Sequence, residues 1–266
     1  MTIVAGLLLL THQRAIVWGN EALLTALAAE HQTDSVRSQV LAATDQVKHG
    51  QVEDGLVRIH AMQRRHPGSV DIAINAVAME CAATGALDSG TFERARHALA
   101  AARDWNYGLY EWMHGAAYDR RIQDCQGFGL TGLRALVASA QSNPQSAALG
   151  RKRDLWHVLG RIALADGQPG AALHWFNAAL LAEPNPEYAL VQAAALGSAG
   201  AQAQALEHLD IYAGIDTGKR LTSVRDIASL HAWLLQYNGY YHKEFASLRS
   251  RLRADMASSS GNRETP

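Results

Sequence analysis

The stretch Arg153–Pro186 constrains this chain more than any other part of it. Trp156, Leu159, Gly160 and Ala163 follow one another at steps of three, one and three. A glycine, Gly167, comes next, then Ala172, Phe176 and Ala179, and finally Pro184. Residues three and four apart share one face of a helix, so the spacing predicts a first helix carrying Trp156, Leu159 and Ala163. Gly167 ends that helix. Pro184 stops a second one, because proline in a helix interior costs ~3 kcal/mol. Gly160 and Ala172 are small where two antiparallel helices approach closely, and Phe176 fills the groove toward a following pair. One such pair cannot bury its own apolar face, so the pattern demands neighbours of the same kind.

The neighbours are present as weaker copies. From Pro186, a unit one residue shorter places Gly200 at the turn, then Ala205, Leu209 and Tyr212. Upstream, Val36–Ser69 puts Ala42 and Ala43 at close-contact places, Gly50 at the turn, Gly55 and Ile59 on the second helix and Pro67 at its end. A copy beginning at Val70 carries Ala73, Ala76 and Val77, then an expanded turn around Gly85–Gly90, then Ala95, Leu99 and Ala102. Another joins Tyr110–Arg120 to Thr131–Ser142 through a long loop, Ile122–Leu130, and is closed by Pro144. At the carboxyl end, a helix capped by Ser223 is expected to bury Ile227, Leu230, Trp233 and Leu234. After Asn238-Gly239, Tyr240–Met256 continues with Phe245, Leu248 and Leu252 on one side, and this pair reads as a terminal cap. Residues 257–266 read as a polar, disordered tail.

The unit Arg153–Pro186 resembles the 34-residue tetratricopeptide repeat (TPR), with Trp156, Leu159, Gly160, Gly167, Ala172, Phe176, Ala179 and Pro184 at that family's signature places. The resemblance implies an all-α, right-handed superhelical solenoid of about five antiparallel helix pairs, spanning residues 35–256, with a capping helix pair at its end. It also implies a binding groove lined by the first helix of each pair. In this chain those places are Arg37, Val40 and Thr44, then Asp71, Ile74, Asn75 and Ala78, then His114, and then Asp154, His157, Arg161 and Leu164. Arg37, Asn75, His114, Asp154, His157 and Arg161 are the candidate partner-binding residues. The lysine and asparagine set with which the family grips peptide carboxyl termini is absent, so that recognition is not expected.

A second resemblance concerns the two ends. Arg14–Arg37, with Arg14, Trp18 and Ser35-Val36-Arg37, resembles the junction in bacterial polytopic membrane proteins that carry a carboxyl-terminal repeat domain. Those are similar to the eukaryotic transmembrane and TPR proteins linked to protein O-mannosylation. His231–Arg253 is similar to the end of such repeat domains. The resemblance implies an extracytoplasmic, periplasmic repeat domain beside a membrane-embedded glycosyltransferase-like half that is missing here. It assigns no sugar chemistry to any residue of this chain. Residues 1–34 are then a junction, in which the apolar run Met1–Leu10 has two readings. It is a buried first helix, or the tail of a last transmembrane helix, the reading favoured here. At half the ~20 residues a span requires, with no basic segment before it, the run is neither a full span nor a secretory signal.

Candidate chemistry is sparse. The chain has 266 residues, 48% hydrophobic and 18% charged, with a net charge of -1. That is ample for a core and gives no electrostatic attraction to nucleic acid or an anionic membrane. The 12 histidines include no His-x-x-x-His or His-Glu-x-x-His pair, so no metal site is expected. No nucleophile elbow and no phosphate-binding glycine loop occurs. Gly127-Phe128-Gly129-Leu130-Thr131-Gly132 suits an expanded loop, and Arg151-Lys152-Arg153 reads as a solvated linker. Cys81 and Cys125, the two cysteines, fall on or beside neighbouring first helices. They form either a disulfide in an oxidising compartment or two separate core residues. No catalytic residue and no cofactor is expected. The function expected is a scaffold for proteins or peptides, with a free-standing cytoplasmic adaptor as the alternative.

Overall fold

The computed structural model describes residues 2–103, 107–215 and 227–261. Among them the chain is helical: α1 (Thr2–Trp18), α2 (Glu21–His31), α3 (Val36–Lys48), α4 (Val52–Arg65), α5 (Val70–Thr84), α6 (Ser89–Ala101), α7 (Tyr107–Ala116), α8 (Arg120–Gln123), α9 (Gly129–Ser142), α10 (Leu149–Ala165), α11 (Pro169–Ala182), α12 (Pro186–Ser198), α13 (Gln202–Gly214), α14 (Ile227–Tyr237) and α15 (Tyr240–Gly261). A 3-10 turn, Pro144–Ala147, precedes α10. The chain divides into two compact units: Met1–Leu109 with Asp119–Gly132, and Tyr110–Tyr118 with Leu133–Pro266.

In the first unit each helix packs on the next, α2 on α3, α3 on α4, α4 on α5 and α5 on α6, while α3 also lies against α5. That order of contacts, next neighbour and next-but-one, defines a stack of antiparallel pairs. Ser35 and Ser69 cap α3 and α5, each accepting a hydrogen bond from a backbone N–H three residues on. Gly50 turns the first pair at φ 82°, a left-handed conformation that side chains with a Cβ resist. Ala43, Ile59, Met62, Ile72, Ala76 and Met79 form the core between the pairs. Gly55 is there because α4 crosses α3 closely: a Cβ on it would stand 2.8 Å from the Ala43 carbonyl oxygen.

The expanded turn after α5 is tied down twice. Cys81 is bonded to Cys125, with 5.3 Å between their α-carbons. Alongside, Leu87 and Gln126 donate backbone hydrogen bonds to Gln126 and Gly85, and Phe92 meets Phe128 edge to face. Glu80 closes the same region from inside. Burial raises its pKa, but hydrogen bonds from His60 (2.9 Å), the Thr91 hydroxyl (2.6 Å) and the Asp88 N–H (2.9 Å) together hold it below the ordinary carboxylate value.

In the second unit α10 packs on α11, α11 on α12 and α12 on α13, with α10 against α12 and α11 against α13. Gly167 and Gly200 turn the two pairs at φ 69° and 80°, as Gly50 does in the first unit. The core gathers Ala163, Ala172, Phe176, Ala193, Leu196, Ala205, Leu209, Leu248 and Leu252. Gly160 shows how close α10 and α11 come. A Cβ there would lie 2.3 Å from the Phe176 ring. Gly160→Ala is therefore expected to destabilise by about 1–3 kcal/mol, although alanine by itself favours a helix by ~1 kcal/mol over glycine. The measurement is the urea midpoint, and an unchanged midpoint would mean that Phe176 swings aside freely.

The carboxyl end departs from the sequence reading. α15 packs on α12 and α13 through Leu248 and Leu252, and Phe245 stacks on Tyr212 at 5.0 Å. It continues to Gly261, past the expected boundary at Met256. α14, however, meets α15 while leaving Ile227 86%, Leu230 42%, Trp233 38% and Leu234 42% exposed. The described residues of the face expected to be buried in a cap are exposed, while α15 covers the core beneath. Ser223, the expected cap residue, lies outside the described residues. At the other end α2 belongs to the stack, with Gln39 donating to the Ala29 carbonyl at 2.7 Å. The described apolar residues of Met1–Leu10 are exposed, Ile3 at 78% and Leu10 at 57%, so the buried-helix reading of that run is not met. Among the described residues no helix is long and apolar enough to cross a membrane.

Candidate functional site

The six residues expected to line a groove fall in both units. Arg37 is exposed near the start of α3, and Asn75 is half-buried on α5, where its amide donates to the Asp71 carbonyl at 2.7 Å. Both belong to the first unit. His114, Asp154, His157 and Arg161 belong to the second, and the fold brings these four together.

α10 carries Asp154, His157 and Arg161 at steps of three and four, one face of the helix. Against it lies the segment Tyr110–Tyr118, whose His114 and Tyr118 are again four apart. His114 stacks on His157 with 5.3 Å between ring centres, and the Arg161 guanidinium lies 4.1 Å from the centre of the Tyr118 ring. From the other side comes α12. The Tyr188 hydroxyl donates to Asp154 at 2.7 Å, and its ring carries the Arg153 guanidinium at 4.4 Å. Arg153 also binds Asp154 and Glu183, at 2.9 Å and 2.8 Å. The basic stretch expected to be a linker is thus the opening of α10, and its third residue is half-buried. Tyr188 stands 34 residues beyond Asp154, one repeat on, so that consecutive first helices exchange polar contacts along their shared face.

His157 does not present its ring to solvent. It is 8% exposed, and its Nδ1 meets the Gln192 amide at 3.1 Å. Gln192 continues to His208 Nε2 at 3.0 Å, and His208 Nδ1 meets Asn177 at 2.6 Å. Gln192 and His208 are fully buried. Burial lowers the pKa of His157 to about 3, with the charges of His114 and Arg161 adding to the fall, and lowers that of His208 to about 4. His114 is lowered too, by burial and then by Arg161. All three rings are therefore neutral near pH 7. The chain they form is a buried polar network whose groups are hydrogen-bonded to one another, as the cost of burying them requires.

What remains open to a ligand is a strip formed by His114, Tyr118 and Arg161. Among the described residues no group of three or more His, Cys, Asp or Glu side chains is placed to hold a metal ion. A second depression, of about 740 Å³, lies between α12, α14 and α15, with Leu190, Val191, Leu235, Tyr240, Tyr241 and Leu248 in its wall.

Sequence reasoning missed Tyr118, Tyr188, Gln192 and His208. Tyr118 was within reach, since it follows His114 by one helical turn. Gln192 and His208 each interrupt an otherwise apolar stripe, Ala189–Ala193–Leu196 and Ala205–Leu209. Polar residues so placed must find each other or water.

The stacked antiparallel pairs, their glycine turns and their close-contact small residues define an all-α, TPR-like helix-pair protein. No family model matches the chain, and no curated protein matches it. A solved structure described as the functional characterization of Pseudomonas aeruginosa pilF is similar at 15% identity, covering 82% of this chain and 90% of that one, with a TM-score of 0.33. The helix packing described above, rather than that likeness, defines the fold.

Proposed function

We propose that this chain is a non-catalytic scaffold that binds an extended protein or peptide segment along the first helices of its pairs, on the extracytoplasmic side of a membrane. The observation that carries the binding reading is the strip on α10 and Tyr110–Tyr118. The face of α10 and the turn after α7 there offer a cation and an aromatic ring to solvent, while the His157–Gln192–His208 groups behind them are hydrogen-bonded to one another. Residues of that kind, anchored from below, are what protein interfaces concentrate at their centres. Two features support the setting. The Cys81–Cys125 bond suits an oxidising compartment. The exposed apolar residues of α1 from Ile3 to Leu10, followed in the same helix by Arg14 and the 74% exposed Trp18, suit contact with lipid and its interface. The likeness to bacterial membrane proteins with carboxyl-terminal repeat domains agrees with both.

The test has two arms. A photoreactive phenylalanine derivative placed at Tyr118 is expected to capture a discrete protein partner in cells, whereas the same group at Leu181, exposed on α11, is not. Adducts that are absent, or identical at the two positions, would remove the binding reading. A reporter active only outside the cytoplasm, fused after Pro266 in the native gene, is expected to be active. A stable but inactive fusion would leave a cytoplasmic adaptor.

A further inference from the structure

Arg161 differs from three other arginines of the second unit, each of which is paired with a carboxylate. Arg134 pairs with Asp166, Arg153 with Asp154 and Glu183, and Arg249 with Asp210. Among the described residues no carboxylate pairs with Arg161, and its buried Nε has no hydrogen-bond partner. Its guanidinium lies against the Tyr118 ring, at 4.1 Å from the ring centre. A half-buried cation stripped of part of its hydration and given no anion is unfavourable until an anion arrives. Stacking on Tyr118 occupies a face of the plane, and with Nε buried it is the Nη1–Nη2 edge that is left for a carboxylate, which it can hold through two parallel hydrogen bonds. His114, neutral beside it, neither competes for that anion nor repels it.

We propose that Arg161 receives the side-chain carboxylate of an aspartate or glutamate within the bound segment, so that the partner is an acidic, extended peptide. The inference rests on the binding reading above. A side chain is the source rather than a chain terminus, because a segment lying along several first helices crosses Arg161 in its middle, where only side-chain carboxylates are presented.

The test is selection of a random dodecamer library, displayed with its carboxyl ends fused to phage so that only side-chain acids are offered, on the full chain. The expected result is enrichment of peptides that share an acid at one fixed position. In a selected peptide, Glu→Gln at that position is expected to weaken binding roughly tenfold or more, as is Arg161→Gln in the protein. The two losses are expected not to add when combined. Arg161→Lys, which keeps the charge and loses the fork, serves if Arg161→Gln does not fold, and is expected to show an intermediate loss. Enriched peptides with no fixed acid, or an acid whose effect survives at position 161 unchanged, would overturn this inference and leave the binding reading standing. Failure of any peptide to enrich would overturn both.

Discussion

Acidification from about pH 7.5 to pH 5 is expected to remove roughly 4 kcal/mol from the stability of the second unit, about 2 kcal/mol through each of His157 and His208. Both have folded pKa values, about 3 and about 4, below their ordinary value of 6.5. Between those limits the unfolded chain takes up protons that the folded chain refuses, so stability falls as pH falls. The loss begins as pH drops through 6.5 and is complete only below the folded values. At pH 5 the size of the effect is fixed by the unfolded value, since neither folded ring has yet titrated. Urea midpoints at the two pH values measure it. His157→Gln with His208→Gln should remove most of the difference between them, leaving the part that His114 contributes, whatever it does to stability at pH 7.5. A wild-type midpoint that does not move with pH would show that neither ring is held neutral by the fold, and half the shift would show that only one is.

Removing the Cys81–Cys125 bond is expected to cost about 4 kcal/mol in the first unit. The bond spans 44 residues of sequence, and the chain-entropy relation for a loop of that size gives about 4 kcal/mol. Cys81→Ser with Cys125→Ser, or reduction of the wild type, should lower the urea midpoint accordingly, and labelling under denaturing conditions should find no free thiol before reduction. A midpoint insensitive to reductant would mean that Glu80 and its partners hold the expanded turn closed without help.

The helix pairs were legible because their signals are local. Gly50, Gly167 and Gly200 stand at turns that demand positive φ, and Gly160 and Ala172 stand where two helices touch, so each announces its place in a short window of sequence. The candidate site was legible in part. His114, Asp154, His157 and Arg161 were assembled by the repeat period, but the period cannot say how deep each side chain lies. His157 proved buried because Gln192, one repeat further on, reaches back to it. Arg153 read as solvated because the ring that covers it belongs to Tyr188. The apolar stripe of α14 states that Ile227, Trp233 and Leu234 favour burial, yet no pattern within one helix names the surface that would cover it. Each miss turns on a neighbour a repeat away or on a helix whose described face is left exposed.

The buried chain from His157 through Gln192 to His208 has a direction. A neutral imidazole offers one donor and one acceptor, and an amide offers one of each at its tip. With the Gln192 NH2 toward His157 and its oxygen toward His208, His157 accepts at Nδ1 and carries its proton on Nε2. His208 then donates from Nε2 and accepts at Nδ1, which requires the Asn177 amide to turn its NH2 there. Turning the Gln192 amide instead moves the proton of both rings to Nδ1 together. The two arrangements cannot mix without setting two donors or two acceptors face to face. One amide rotation deep between α10 and α13 thus decides which ring nitrogen of His157 is protonated, and nitrogen chemical shifts would read that choice directly.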